Sequence, residues 1–302
     1  MAERIHLVIN GRALETETPP RLVRQTVSVG VRVVAENLGY EIHWQPDLHT
    51  LVLARLDRCI ELRVGSDVAL VNGVRQTLDR EITVWQDQVF GPVRSLATLL
   101  GAQVAWDQST GTVIIQRSEP AFRGQRLVVD PGHGGEDPGA VGPDQLQEKA
   151  VNLDMALKLA MVLELAGAGV VLTRKRDETV SLDARVRMAN SQDSAALLSI
   201  HCNSHRDPEA RGTETYFYDG WEGQRFASAV QGELLRELQT RDRGVRAAAF
   251  YILRLSQAPA ALCEVAFLSN PAEARMMADP TVRLQAALAL FRGLRSFLEQ
   301  RR

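Results

Sequence analysis

The sequence predicts two folded units. The larger is an α/β unit with a mostly parallel or mixed sheet flanked by helices on both faces, and a smaller α+β unit built from two repeats precedes it. Three observations predict this. Motifs in the first 117 residues recur at a fixed offset of 62, the mark of two copies of one supersecondary unit. A short polar stretch bearing Pro and Gly then breaks the pattern. From Arg126 onward, strand-like apolar runs alternate with helical periodicity. The length of 302 residues also suits two domains, at ~150 residues each.

In the repeat, Asn10-Gly11 recurs as Asn72-Gly73, Val31-Arg32 as Val93-Arg94 and Leu38-Gly39 as Leu100-Gly101. Trp44 recurs as Trp106, and Thr50 as Thr112. Each copy reads as a strand (Leu7 to Ile9), an Asn-Gly turn and a helix from Val31 to Leu38. A hairpin follows, from Tyr40 to Trp44 and from Thr50 to Leu53, turning at Gln45-Pro46-Asp47. Two such β-β-α-β-β halves have little core apiece and are expected to fold as one domain, residues 4–117. Residues 118–125 read as a linker, and residues 126–302 as the second domain.

In that second domain, Leu127 to Val129 reads as a buried strand ending at Asp130. Residues 147–166 read as a helix with Leu153, Ala156, Leu157, Ala160 and Leu163 on one stripe, closed by Gly167 and Gly169. Strands are expected at Val170–Thr173, Ala195–Ile200, Thr213–Tyr218, Phe250–Leu253 and Ala260–Phe267. Helices are expected at Leu182–Asn190, Glu222–Leu238 and Thr281–Leu298.

Composition is that of a globular chain, with 45% hydrophobic and 24% charged residues. A net charge of -2 supplies no basic field for nucleic acid. No apolar run is long enough for a membrane span. Three cysteines at wide spacing, Cys59, Cys202 and Cys263, form no disulfide framework. The N-terminus lacks the apolar core of an export signal, although a trimmed signal would leave the same sequence.

Three polar groups fall where strands end or a helix begins. Asp130-Pro131-Gly132-His133-Gly134-Gly135 delivers His133 into a glycine-rich turn. Glu148 opens the following helix, and His201 ends the apolar strand Ser199-Ile200-His201-Cys202-Asn203. Ligands of open α/β sheets bind beyond the carboxyl ends of strands. Two histidines and a glutamate form a zinc set of the catalytic kind, with a fourth position left for water. Taken singly, each is an ordinary terminus residue, and the convergence of three is what makes a site. Glu264, inside the apolar run Leu262-Cys263-Glu264-Val265-Ala266-Phe267, is costly to bury unless it is paired or used. Beside a zinc site it would serve as a general base. Cys202 and Cys263 flank site residues but point to the opposite face of their strands, so they read as small buried apolar groups.

These blocks, taken together, resemble the zinc-dependent N-acetylmuramoyl-L-alanine amidases of bacterial cell-wall turnover. The resemblance runs from Arg126 to about Phe297 and includes Asp137, Gly139-Ala140, Glu148-Lys149, Asn152-Leu153, Leu172-Thr173-Arg174, Asp177, Arg185 and Ala189-Asn190. It continues through Gly212-Thr213-Glu214-Thr215-Tyr216 and Phe250 to Arg254, and ends at Asn270. Cys202, Cys263 and Ala266 depart from the family's usual residues without touching a ligand type. The resemblance implies that His133, Glu148 and His201 bind one Zn2+ and that Glu264 activates water. The amide joining N-acetylmuramic acid to L-alanine of the stem peptide would be cut. Asn152 and Asn203 would support the ligands from behind. His205 is either a helper near the oxyanion or a polar loop residue, and Arg254 and Asn270 are candidates for contact with the peptide. The competing readings are a zinc peptidase acting within the stem peptide and a non-catalytic peptidoglycan-binding protein.

The repeat unit resembles the copper-amine-oxidase-like N-terminal domain that accompanies wall enzymes, which suggests wall targeting. His6, His43 and His49 lack metal spacing, so no copper is expected. The expected location is the cell wall or outside the cell, a released or cytoplasmic lysin being the alternative. Only Asp219, Gly220 and Trp221 separate a strand from the next helix, too few residues for an occluding helix. An open site with no obligatory activator protein is therefore expected.

Overall fold

The computed structural model describes residues 4–56 and 58–301. The chain divides into two compact units, Met1–Ser118 and Glu119–Arg302.

In the first unit the repeat is visible element by element. Helices Val31–Asn37 and Val93–Leu99 are separated by the repeat offset, as are strands Thr50–Arg55 and Thr112–Arg117. The copies interleave rather than sit side by side. His6–Ile9 of the first copy pairs in parallel with Thr112–Arg117 of the second, and Thr26–Gly30 pairs with Gln88–Pro92. Strand Arg58–Arg63 lies outside the repeat and pairs with both Thr50–Arg55 and Val68–Val71. It thereby stitches the first copy's closing hairpin to the second copy's opening one. One core results, with Leu7, Val34, Leu53 and Ile60 packed among Leu96 and Ile115. Four strands precede the helix in each copy, not the two expected, because pieces such as Arg12–Leu14 and Arg21–Val23 are too short for an alternation to show.

The second unit begins before residue 126. Phe122, in the segment read as a linker, is fully buried and stacks on Phe291 at 5.1 Å. The elements that follow are β1 (Arg126–Pro131), α1 (Glu148–Leu165), β2 (Gly169–Leu172), α2 (Leu182–Asn190), β3 (Ala196–Asn203) and β4 (Thr213–Phe217). After them come α3 (Gly220–Leu238), β5 (Asp242–Ala247), α4 (Tyr251–Leu255), β6 (Ala260–Phe267), α5 (Pro271–Ala278) and α6 (Pro280–Glu299). The sheet order is β2-β1-β3-β6-β4-β5. The first four strands are parallel, β4 runs antiparallel to β6, and β5 is parallel to β4. The sheet is therefore mixed, and the carboxyl ends of β1, β3 and β6 meet at one edge with the start of β4.

Helices cover both faces. Val128, Leu197 and Leu262 pack against Val186 and Ala189 of α2 and Ile252 and Leu253 of α4. On the other face, Gln231 of α3 bonds Thr215 at 2.7 Å, and α6 contacts both α1 and α3. Strand alternation puts Cys202 and Cys263 on this second face, where both are buried and burial pushes both thiols upward in pKa. Caps set several helix starts. Ser181 accepts from the Ala184 amide, Asp279 from Thr281, and Asn270 from Ala272 and Glu273.

The structure corrects three sequence expectations. Phe250–Leu253 is not a strand: Tyr251–Leu255 forms α4. A four-residue apolar run fits either state, and here docking against α2 selects the helix. Strand β5 was not foreseen, because Asp242-Arg243-Gly244-Val245-Arg246-Ala247 is a polar edge strand. Leu157, assigned to the buried stripe of α1, is 40% exposed, whereas Met155, Leu159 and Val162 are buried. A helix wedged between a sheet and α6 is apolar around most of its circumference, so its stripe cannot be read by period alone.

Candidate metal centre

Three elements bring His133, Glu148 and His201 together at the carboxyl edge of the sheet. His133 follows β1 with a left-handed φ of 60°, a conformation that a residue with a Cβ seldom adopts. Glu148 is the first residue of α1, and His201 lies on β3. Donor atoms of all three lie within 4.8 Å of one another. His133 Nε2 is 3.2 Å from Glu148 Oε2, and His201 Nδ1 is 3.0 Å from Glu148 Oε1. Tetrahedral ligands ~2.1 Å from zinc stand about 3.4 Å apart, so separations of this size are compatible with a shared metal ion.

Glu148 is held rigidly. Its Oε2 accepts from the Ala140 amide at 2.8 Å, and its Oε1 from the Cys202 amide at 3.0 Å and Asn152 Nδ2 at 3.1 Å. Asp137 Oδ2 takes His133 Nδ1 at 2.7 Å. That bond fixes the tautomer and leaves Nε2 facing the cluster. Two glycines make the approach possible. A Cβ at Gly132 would stand 2.1 Å from His201 Cε1, and one at Gly139, whose φ is 65°, would stand 2.4 Å from Glu148 Oε2.

Glu264 pairs in register with His201 on β3 and with Glu214 on β4, so the three side chains share one face. Glu264 Oε2 is buried with no hydrogen-bond partner. Burial, together with the negative charges of Glu148 and Glu214, pushes its carboxyl up to about 7, although His201 and His133 pull the other way. Glu214 is itself compensated: it accepts from Asn203 Nδ2 at 2.6 Å and from Arg243 Nε at 3.1 Å.

The remaining candidates lie in different settings. Asn152 touches Glu148 directly. Asn203 bridges to Glu214, and its Oδ1 accepts from the Ser204 amide. His205 is exposed, and its Nδ1 accepts the Asp207 amide, closing a turn. Arg254 is exposed beside the Tyr251 ring, 5.9 Å from its centroid. Asn270 is buried, with its amide committed to the cap of α5 and to the Pro208 carbonyl at 2.7 Å. Sequence reasoning gave no role to Arg174, Arg185, Asp137 or Glu214, although each stands in a recognised block. The available signal was an arginine following an apolar strand at Arg174, and an arginine on the face of Ala189 at Arg185.

A family model described as N-acetylmuramoyl-L-alanine amidase matches residues 127–296. The chain belongs to this amidase family. A second model, described as copper amine oxidase N-terminal domain, matches residues 8–115. The N-acetylmuramoyl-L-alanine amidase LytC of Bacillus subtilis is 39% identical over 58% of this chain and 36% of its own length. Among solved structures, the amidase AmiC2 of Nostoc punctiforme is 37% identical with a TM-score of 0.56, covering 58% of this chain and 97% of that one. The CwlD amidase of Clostridioides difficile, solved in complex with the GerS lipoprotein, is 29% identical with a TM-score of 0.57, covering 58% and 99%.

A metal held by this cluster would be taken up in a pH-dependent way. The bond to Glu148, aided by Asp137, raises the metal-free His133 to about 9. The bonds to both histidines hold Glu148 below the usual carboxylate range despite its burial. At neutral pH His133 therefore carries a proton that a metal must displace. Zinc affinity is expected to rise as pH increases toward about 9, with protons released at pH 7 from His133 and from His201, whose pKa is also raised, despite its burial, by its bond to Glu148. Calorimetry in buffers of different ionisation enthalpy measures that release. Conversely, stability that metal-free protein draws from protonated His133 is complete below ~6.5 and is lost as pH rises through its folded pKa.

Proposed function

We infer that this chain hydrolyses the amide joining the lactyl group of N-acetylmuramic acid to L-alanine of the stem peptide. In this reading His133, Glu148 and His201 hold one zinc ion and Glu264 moves the proton. The observation that carries it is a His-Glu-His donor cluster together with Glu264, which shares a sheet face with His201 of that cluster and has an unpartnered carboxylate oxygen. Zinc, when bound, polarises the scissile carbonyl and lowers the pKa of water toward ~7. Glu264 takes the proton of the attacking water on Oε2 and returns it to the leaving amine nitrogen. In the metal-free protein this carboxyl is raised to about 7, the range in which a group can both accept and return a proton at neutral pH. Asn203 and Arg243 hold Glu214 fixed beside it. Asn152 holds Glu148 in place from behind.

Mass spectrometry of digested peptidoglycan tests this reading. The expected products are glycan with a free lactyl carboxyl and peptide with an N-terminal L-alanine, lost with chelator and restored by zinc. New termini inside the stem peptide would identify a peptidase instead, and no products at all a binding protein.

A peptidoglycan substrate supports action at the cell wall or outside the cell. No helix among the described residues is long and apolar enough to cross a membrane. Tyr218 and Asp219 alone separate β4 from α3, leaving no room there for an occluding helix. The chain is therefore expected to cut soluble muramyl-peptide without an activator. Silence until a second protein is added would overturn that.

For the repeat unit we propose wall binding or positioning of the enzyme, with a spacer as the alternative. Residues 119–302 alone should lose at least several-fold more activity on intact wall than on soluble muramyl-peptide. Equal losses on both substrates would make the repeat unit a spacer.

A further inference from the structure

The loop that carries His133 is held through its carbonyl oxygens by side-chain cations from outside it. Pro131 accepts from Arg174 Nε at 3.0 Å and Arg185 Nη1 at 2.7 Å. Gly132 accepts from Arg174 Nη2 at 2.9 Å, and His133 from Arg185 Nη2 at 2.6 Å. Gly135 accepts from Lys149 Nζ at 2.6 Å. Both guanidiniums are buried, Arg174 to 1% and Arg185 to 4% exposure. Asp130 offers one of them a carboxylate, 2.7 Å from Arg185. Burying two cations around one buried anion is costly unless the remaining donors are satisfied, and here backbone carbonyls satisfy them, those of the loop together with those of Lys149, Arg176 and Val180. The loop needs such restraint: His133, Gly134 and Gly135 have φ of 60°, 133° and 61° in succession. A histidine persists in that region only where its surroundings fix it.

We propose that Arg174 and Arg185 are positioning residues for the metal centre. Arg174 spans the carbonyls of Pro131 and Gly132 and Arg185 those of Pro131 and His133, and together they set where His133 presents Nε2, with Lys149 pinning the far end of the loop. The proposal rests on His133 being a metal ligand. A lysine keeps the charge but cannot reach two carbonyls from one rigid plane.

The test uses the full chain with Arg185→Lys, Arg174→Lys, Lys149→Met and His133→Ala. Zinc Kd is measured by chelator competition, the ligand geometry by the visible spectrum of the cobalt(II) form, and kcat and KM at saturating zinc. For either arginine variant we expect a Kd weakened about 10–100-fold, a changed cobalt spectrum, and a fall in kcat with KM unchanged. Lys149→Met, a partly exposed position, should move Kd the same way by less. It carries the test if the arginine variants do not fold. Wild-type Kd and cobalt spectrum in folded Arg185→Lys, or in Lys149→Met where the arginine variants do not fold, would reduce the clamp to a stabilising role and overturn the proposal. Retention of zinc by His133→Ala would instead overturn the ligand assignment beneath it.

Discussion

Glu264→Gln is expected to lower kcat by about 10²- to 10⁴-fold while the protein keeps its zinc and its fold. Glutamine preserves the shape of the side chain and removes its capacity to accept a proton. Glu264 is outside the cluster of His133, Glu148 and His201, so metal content should not change. The fold should not suffer, because the substitution deletes a buried charge whose Oε2 has no partner and which faces Glu214 across the strands. The pH dependence of stability gives a second readout. With its folded pKa raised to about 7, Glu264 holds a proton that the unfolded chain releases near ~4.3. Its contribution to stability therefore declines as pH rises between those values. Glu264→Gln should flatten that decline in metal-free protein. Metal analysis, steady-state kinetics and thermal unfolding at pH 4.5 and pH 7.5 are the measurements. Turnover near wild type would move the proton-transfer role to another group.

His133→Ala and His201→Ala are each expected to remove zinc and activity together. Loss of a partner behind a ligand typically costs 10- to 100-fold in metal affinity, and loss of a ligand should exceed that. Only Glu148 and one imidazole would remain. These variants should also relieve Glu148 of a bond that holds its carboxyl down, so metal-free stability near neutral pH should fall. Zinc content after exhaustive buffer exchange, measured beside amide hydrolysis, decides the matter. Undiminished zinc in both variants would show that the ion lies elsewhere.

The relation between these two predictions shows how much of the site was legible in the chain. His133, Glu148 and His201 are far apart in sequence, yet each falls at a strand end or helix start. That pattern could be read because parallel α/β topology sends such ends to one edge. Glu264 was legible as a charge in an apolar strand. Asn270 and Arg254 were legible only as members of recognised blocks, and the structure gives Asn270 a capping role and places Arg254 on the exposed end of α4. Arg174 and Arg185 carried no comparable signal. Their partners are backbone carbonyls, which every residue has, so no residue type announces the pairing.

By itself the sequence determined the two-unit organisation, the 62-residue repeat, most elements of the α/β unit and the residue types that meet in the His-Glu-His cluster. These follow from local rules: periodicity, turn residues and the cost of burying a lone carboxylate. Tertiary structure alone decided that the repeat copies interleave around Arg58–Arg63, that Tyr251–Leu255 is helical and that the polar Asp242–Ala247 completes the sheet. It also decided that Glu214 stands opposite Glu264 and that two buried guanidiniums grip the His133 loop. The physical reason is the same in each case. Pairing register, docking of short apolar runs and hydrogen bonds to backbone carbonyls depend on which segments meet in space, and that information is not carried by the segments themselves.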